Sequence, residues 1–146
     1  MGIITNISDQ LGISIEIIGT ENSEWTKLKL KLQYYVVTDN VFHDWVITDA
    51  DIFETDLSEF RKYLHKFIAH KDISANFVFE PEVEPSFRMS LQRVAVNDDH
   101  YDINVLMEID LTHVLRMNIS TTYRENRIAL HFVTDERRLH EFALNL

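Results

Sequence analysis

Three glutamates, Glu80, Glu82 and Glu84, alternate along the stretch FVFEPEVEPSFRMSL, and closely spaced carboxylates are the raw material of acid–base chemistry. On a fully extended chain they would stand roughly 6.6 Å apart along one side. Glycoside hydrolysis uses two carboxyl groups at comparable separations, one of them kept neutral by an apolar pocket. Nothing in the sequence sets one of these three apart, and no separated second acid stands out. All three are therefore expected to be ionised and hydrated, and no catalytic role is assigned to them. Two other uses suit such a run: an edge guarded against pairing with other chains, or a docking strip for a cationic partner.

Seven histidines raise the question of a metal. His65 and His70 fall on different faces of any helix that carries both, so they cannot share an ion as an i, i+4 pair would. His100, with Asp98, Asp99 and Asp102, gathers nitrogen and oxygen ligands in one turn. A calcium loop needs a longer ordered series of ligands and usually a glycine at the bend, so a solvated hairpin turn is the expectation. With no cysteine in the chain, thiol nucleophiles, disulfides and thiolate metal sites are excluded. Neither G-x-S-x-G nor a P-loop occurs. Trp25, Trp45, Tyr34, Tyr35 and Tyr101 could line a ligand pocket, although aromatics on strands more often belong to the core. No metal, cofactor or catalytic residue is expected.

The elements that would position these residues follow from hydrophobic periodicity. In DLSEFRKYLHKFIAHK, residues Leu57, Phe60, Tyr63, Leu64, Phe67 and Ile68 form one apolar stripe at helical period. Asp56 and Glu59 make a D-x-x-E capping box at its start, and Arg61, Lys62, Lys66 and Lys71 place cations along its later turns. Period-two alternation marks a strand from about Gly12 to Gly19 and another over Leu28–Val36, whose lysines Lys27, Lys29 and Lys31 face outward. A third strand runs through Trp45 to Ile47. After the helix, Pro81 and Pro85 confine their stretch to an edge, a bulge or a loop. Asn97–His100 turns the chain into the cleanest strand, Tyr101–Leu111. Leu115–Ser120 and Arg127–Val133 read as a hairpin through Tyr123–Asn126. Thr134 or Asp135 then caps a terminal helix. The expected fold is one α+β domain over residues 1–146, with a mostly antiparallel sheet of about seven strands, a central helix and a C-terminal helix.

Charge is unevenly distributed over this frame. Residues 1–55 carry nine acids and three lysines, −6; residues 56–71 carry +2; residues 72–110 carry −7; and residues 111–146, with five arginines, carry +1. A chain at −10 overall should repel nucleic acid and anionic membrane and attract a basic partner, although charge also serves solubility. The opening MGIITNISDQLG lacks a basic segment and a long apolar run, so no export signal is expected. No apolar run approaches the ~18 residues of a spanning helix. A cytoplasmic location follows as the expectation.

The order of segments resembles the WapI-like bacterial immunity proteins, which are associated with immunity to polymorphic, wall-associated or Rhs-type toxins. The likeness is carried by EWTKLKLKLQYYV and DLSEFRKYL, then FVFEPEVEPSFRMSL with its F-x-F-E-P-x-x-E-P run, over about residues 12–133. It implies a non-enzymatic protein that binds and neutralises a co-encoded, basic toxin domain by stoichiometric occlusion. The acidic residues Glu80, Glu82, Glu84, Asp98, Asp99 and Asp102 are expected to contribute the partner-binding face, since immunity pairs steer their association electrostatically. A small-ligand-binding α+β module with an aromatic-lined pocket is the alternative.

Overall fold

The computed structural model describes residues 1–20, 24–36, 38, 40–72, 75–83, 86–110 and 127–146. Its first half is an antiparallel meander of β1 (Gly2–Thr5), β2 (Leu11–Thr20), β3 (Trp25–Val36) and β4 (Val41–Phe53). Alternation decides which face turns inward. Ile13 and Ile15 of β2 and Leu28 and Leu30 of β3 are buried, while Lys29 lies opposite Glu16 on the other face. Bulges interrupt the register between Ile17 and Gly19 and between Leu28 and Leu30. The bend and added twist at such sites curve a sheet over its core.

Helix α1 (Glu54–Ala69) begins at the residue after β4. The expected capping box does not form, because the strand runs straight into the helix two residues before Asp56. Phe53 holds the cap position with no side-chain bond, its ring edge-on to Trp25 at 5.1 Å. The first orphan donor, the Glu54 N–H, finds the Glu24 carbonyl at 2.8 Å. Asp56 sits inside the first turn, buried, where its carboxylate accepts a hydrogen bond from the Val83 N–H at 3.1 Å. Leu57, Phe60, Tyr63, Leu64 and Phe67 are all buried, as the stripe predicts.

The second half repeats the order. β5 (Phe77–Phe79), β6 (Phe87–Asn97), β7 (His100–Asp110) and β8 (Arg127–Thr134) form a second antiparallel sheet in sequence order, followed by α2 (Glu136–Leu144). The fold is α+β, but among the described residues the expected seven-stranded sheet is two sheets of four strands. Three features account for this: α1 carries the chain away from β4 to start a new sheet, β1 adds a strand too short for alternation to reveal, and the extended run from Phe77 divides into β5 and β6. Among the described residues β5 ends the order of its sheet, and Pro81 lies beyond its last residue, outside the ladder. The expected strand at Leu115–Ser120 and turn at Tyr123–Asn126 lie outside the described residues.

The halves share one core. Phe60 of α1 packs against Phe79, Phe87 and Phe142, and Tyr63 stacks on Phe77 at 4.8 Å. The Tyr63 hydroxyl reaches the Phe77 and Met89 carbonyls, and burial pushes its phenol pKa well above the ordinary value. Where the sheets meet, the Ile7 N–H donates to the Val133 carbonyl at 3.0 Å and the Thr134 hydroxyl to the Thr5 carbonyl at 2.6 Å. Asp135, rather than Thr134, caps α2 by accepting from the Arg138 N–H. β1 approaches α2 so closely that a Cβ on Gly2 would stand 2.9 Å from the Phe142 ring.

Candidate partner-binding site

The described acidic residues among those singled out from the sequence fall into two groups at opposite ends of the second sheet. Glu80 follows β5 directly, and its carboxylate is engaged by Arg127 at 3.1 Å. Arg127 also approaches Glu108 at 3.7 Å, and Glu108 pairs with Arg88 at 3.7 Å. Glu80 therefore ends a row of alternating charge that crosses the sheet. Glu82 is exposed, and Glu84 lies outside the described residues. The other group occupies the β6–β7 turn: Asp98 and Asp99 between paired Asn97 and His100, with Asp102 on β7 3.2 Å from the His100 ring nitrogen. From Asp102 to Glu108 the distance along β7 is about 20 Å at ~3.3 Å per residue.

Each group borders a groove. The first, about 470 Å³, is lined by Thr55, Asp56 and Glu59 of α1, Val78 and Phe79 of β5, and Glu80 and Glu82. Four carboxylates and no base are among its described lining residues, although Glu59 is paired with Lys62 at 2.6 Å and Glu80 with Arg127. Val78 faces out and is 41% exposed, whereas Phe79 packs on the core. With Val78, Phe79, Glu80 and Glu82 in its lining, the groove adjoins the C-terminal end of β5. Asp56 and Glu59, read from the sequence as a cap, are part of this wall. The clue that was missed is their place one turn apart at the start of a helix that packs beside Phe79.

The second groove, about 490 Å³, is lined by Lys71, Asp98, Asp99, His100, Tyr101, Asp135, Glu136 and Arg137. Here bases belong to the lining itself. Lys71 lies 3.5 Å from Glu136, and Asp135 is engaged by Arg138. The field in this groove is accordingly mixed, and Asp98, Asp99 and Asp102 belong to a different environment from Glu80 and Glu82.

Three of the aromatic residues considered for a ligand pocket have separate surroundings. Trp25 packs on Phe53, Tyr34 stacks on His43, and Tyr101 lines the mixed groove; the Trp45 side chain lies outside the described residues. Between α1 and the second sheet the space is taken by Phe60, Tyr63, Phe67, Phe77, Phe79 and Phe87. His65 and His70 are exposed on α1 and just beyond its end. Among the described residues no group of three or more His, Cys, Asp or Glu side chains is arranged to hold a metal ion. No described helix is long and apolar enough to cross a membrane. No family model, curated protein or solved structure matches the chain.

Proposed function

We propose that this chain is an immunity-type binding protein of the cytoplasm, which occludes a basic, co-encoded toxin domain stoichiometrically and without turnover. The observation that carries the reading is the first groove, a concave surface whose described lining holds Asp56, Glu59, Glu80 and Glu82 and no basic residue, with Lys62 and Arg127 pairing two of the four from outside the lining. Like-signed carboxylates in a cleft focus the field and draw in a cationic partner from solution. The overall charge of −10 acts in the same direction. The alternative, a small-ligand module with an aromatic-lined pocket, has no comparable support, because the aromatic rings between helix and sheet pack on one another.

Co-expression tests the proposal. The polypeptide encoded beside this chain's gene should arrest growth when expressed alone, and expression of this chain should restore it. The purified pair should elute as a complex of fixed stoichiometry. A neighbouring polypeptide that is harmless, or one that stays toxic and unbound in the presence of the chain, would refute the reading.

A further inference from the structure

We infer that the outward face of the second sheet is where two copies of this chain meet, sheet against sheet; this does not depend on the function proposed above. Residues paired across an antiparallel ladder share a face, so the register fixes its rows. Val78, Ser90, Leu106 and His131 run across all four strands. Gln92, Asn104 and Val133 form the next row, and Val94 lies beyond Gln92. Neither row contains an Asp, Glu, Lys or Arg. The outward face of the first sheet differs: there Glu16 stands opposite Lys29, and Lys27 opposite Asp51. Each sheet buries its other face, so both have the same reason to carry charge on the solvated side. Only the second leaves Val78 and Val94, 41% and 40% exposed, among uncharged polar side chains. Such a surface offers nothing to attract an ionic partner and suits an uncharged face like itself.

Charge identifies the occupant. A second copy carries −10 and can approach only where carboxylates are absent or countered. At one end of this face Glu108 lies 3.7 Å from both Arg88 and Arg127, and Glu80 lies 3.1 Å from Arg127, so two acids balance two bases. At the other end the β6–β7 turn carries Asp98 and Asp99, with Asp102 beside Val94. A two-fold axis across the strands sets each copy's acidic turn over the arginine-bearing row of the other. It also keeps the two turns apart, so the pairing is isologous without like charges in contact. Ile7, 46% exposed, flanks β8 through its N–H bond to the Val133 carbonyl. Four strands ~4.8 Å apart, that flank and the ~20 Å from Arg88 to Val94 give roughly 500 Å² per copy. A pair then buries roughly 1,000 Å², the low end for a specific contact, so the dimer is weak.

Sedimentation of the full-length chain over a concentration series tests this. The protein should be monomeric at about 10 µM and largely dimeric near 1 mM, as the small area implies. Added salt should strengthen the pair, because it screens the repulsion between two chains of charge −10. Gln92→Lys with Asn104→Lys, in the middle of the face, should weaken self-association about tenfold or more and leave the melting temperature nearly unchanged. Gln92→Glu with Asn104→Glu should do the same, and mixing the two variants should restore a dimer. Glu16→Gln with Lys29→Gln, on the outward face of the first sheet, should change self-association less than about twofold. A chain that stays monomeric to about 1 mM across the salt series overturns the inference. So does a dimer indifferent to the Gln92 and Asn104 variants, which would lie on another surface such as an open sheet edge. A loss that mixing fails to repair also overturns it.

Discussion

Among the described residues, each half of the molecule runs four antiparallel strands into a helix, yet the two secure that helix differently. In the first half, β4 passes into α1 with no side-chain cap, and the Glu24 carbonyl takes the first free amide. In the second, Asp135 caps α2 and is itself held by Arg138. The far end of α1 is finished by the other half. Arg93, on the inner face of β6, donates to the Phe67 and His70 carbonyls and lies 4.1 Å over the Phe67 ring. Arg138 likewise reaches back to the Asp9 carboxylate and the Ile7 carbonyl. The second half thus lends arginines to the first, with Arg61 to the Leu146 carbonyl running the other way. Part of the charge asymmetry that suggests an external partner is therefore spent inside the fold.

If the halves share a core, the largest effect should come from the ring that joins them. Phe60→Ala removes contacts to Phe79, Phe87 and Phe142 at once and should cost about 3–5 kcal/mol, read as a lower urea midpoint at nearly constant slope. Arg93→Ala should cost about 2–4 kcal/mol, because two carbonyls at the end of α1 lose their donor and a ring loses its cover. Arg93→Met, which keeps the packing, should recover part of that loss. Recovery of all of it would mean that packing alone explains Arg93.

Gly2→Ala tests the seam between β1 and α2. With Phe142 backbone and ring 2.9–3.1 Å from the added carbon, the ring or strand must shift, at about 1–3 kcal/mol. An unchanged melting temperature would show that β1 docks more loosely than these distances require. The smallest effect belongs to the clip at Asp9. Its carboxyl is held below the usual value, first by the hydrogen bond from Arg138 and then by the one from Thr5. A lowered folded-state value gives stability that is present above the ordinary carboxylate pKa of about 3.9 and is lost as pH falls through the lowered one. Asp9 is exposed, so Asp9→Asn should cost less than about 1 kcal/mol at neutral pH. Thermal melts of wild type and variant should converge in acid.

Much of the local structure was legible. The stripe on α1, the alternation on β6 and β7 and the turn at Asp98–Asp99 depend on neighbours in sequence, and periodicity reports those. The division into two sheets was not legible, since it depends on where a helix delivers the chain. Nor was the site as a unit: Glu80 and Glu82 meet Asp56 and Glu59 only because α1 lies beside β5, while Asp98 and Asp99 end at the far turn. Arg93 was readable in principle. It shares parity with Met89 and Leu91, so alternation already sends a guanidinium inward, and a buried guanidinium demands acceptors.

The most direct measurement is the association rate of this chain with the co-encoded polypeptide, followed by stopped flow across a salt series. Glu59→Gln with Glu82→Gln should leave the melting temperature nearly unchanged while slowing association about tenfold or more at low salt and flattening its dependence on ionic strength. Asp98→Asn with Asp99→Asn, in the mixed-charge groove, should behave like wild type. Equal rates for the wild type and the Glu59/Glu82 variant throughout the series would contradict the account and reduce the acidic groove to a solvated surface.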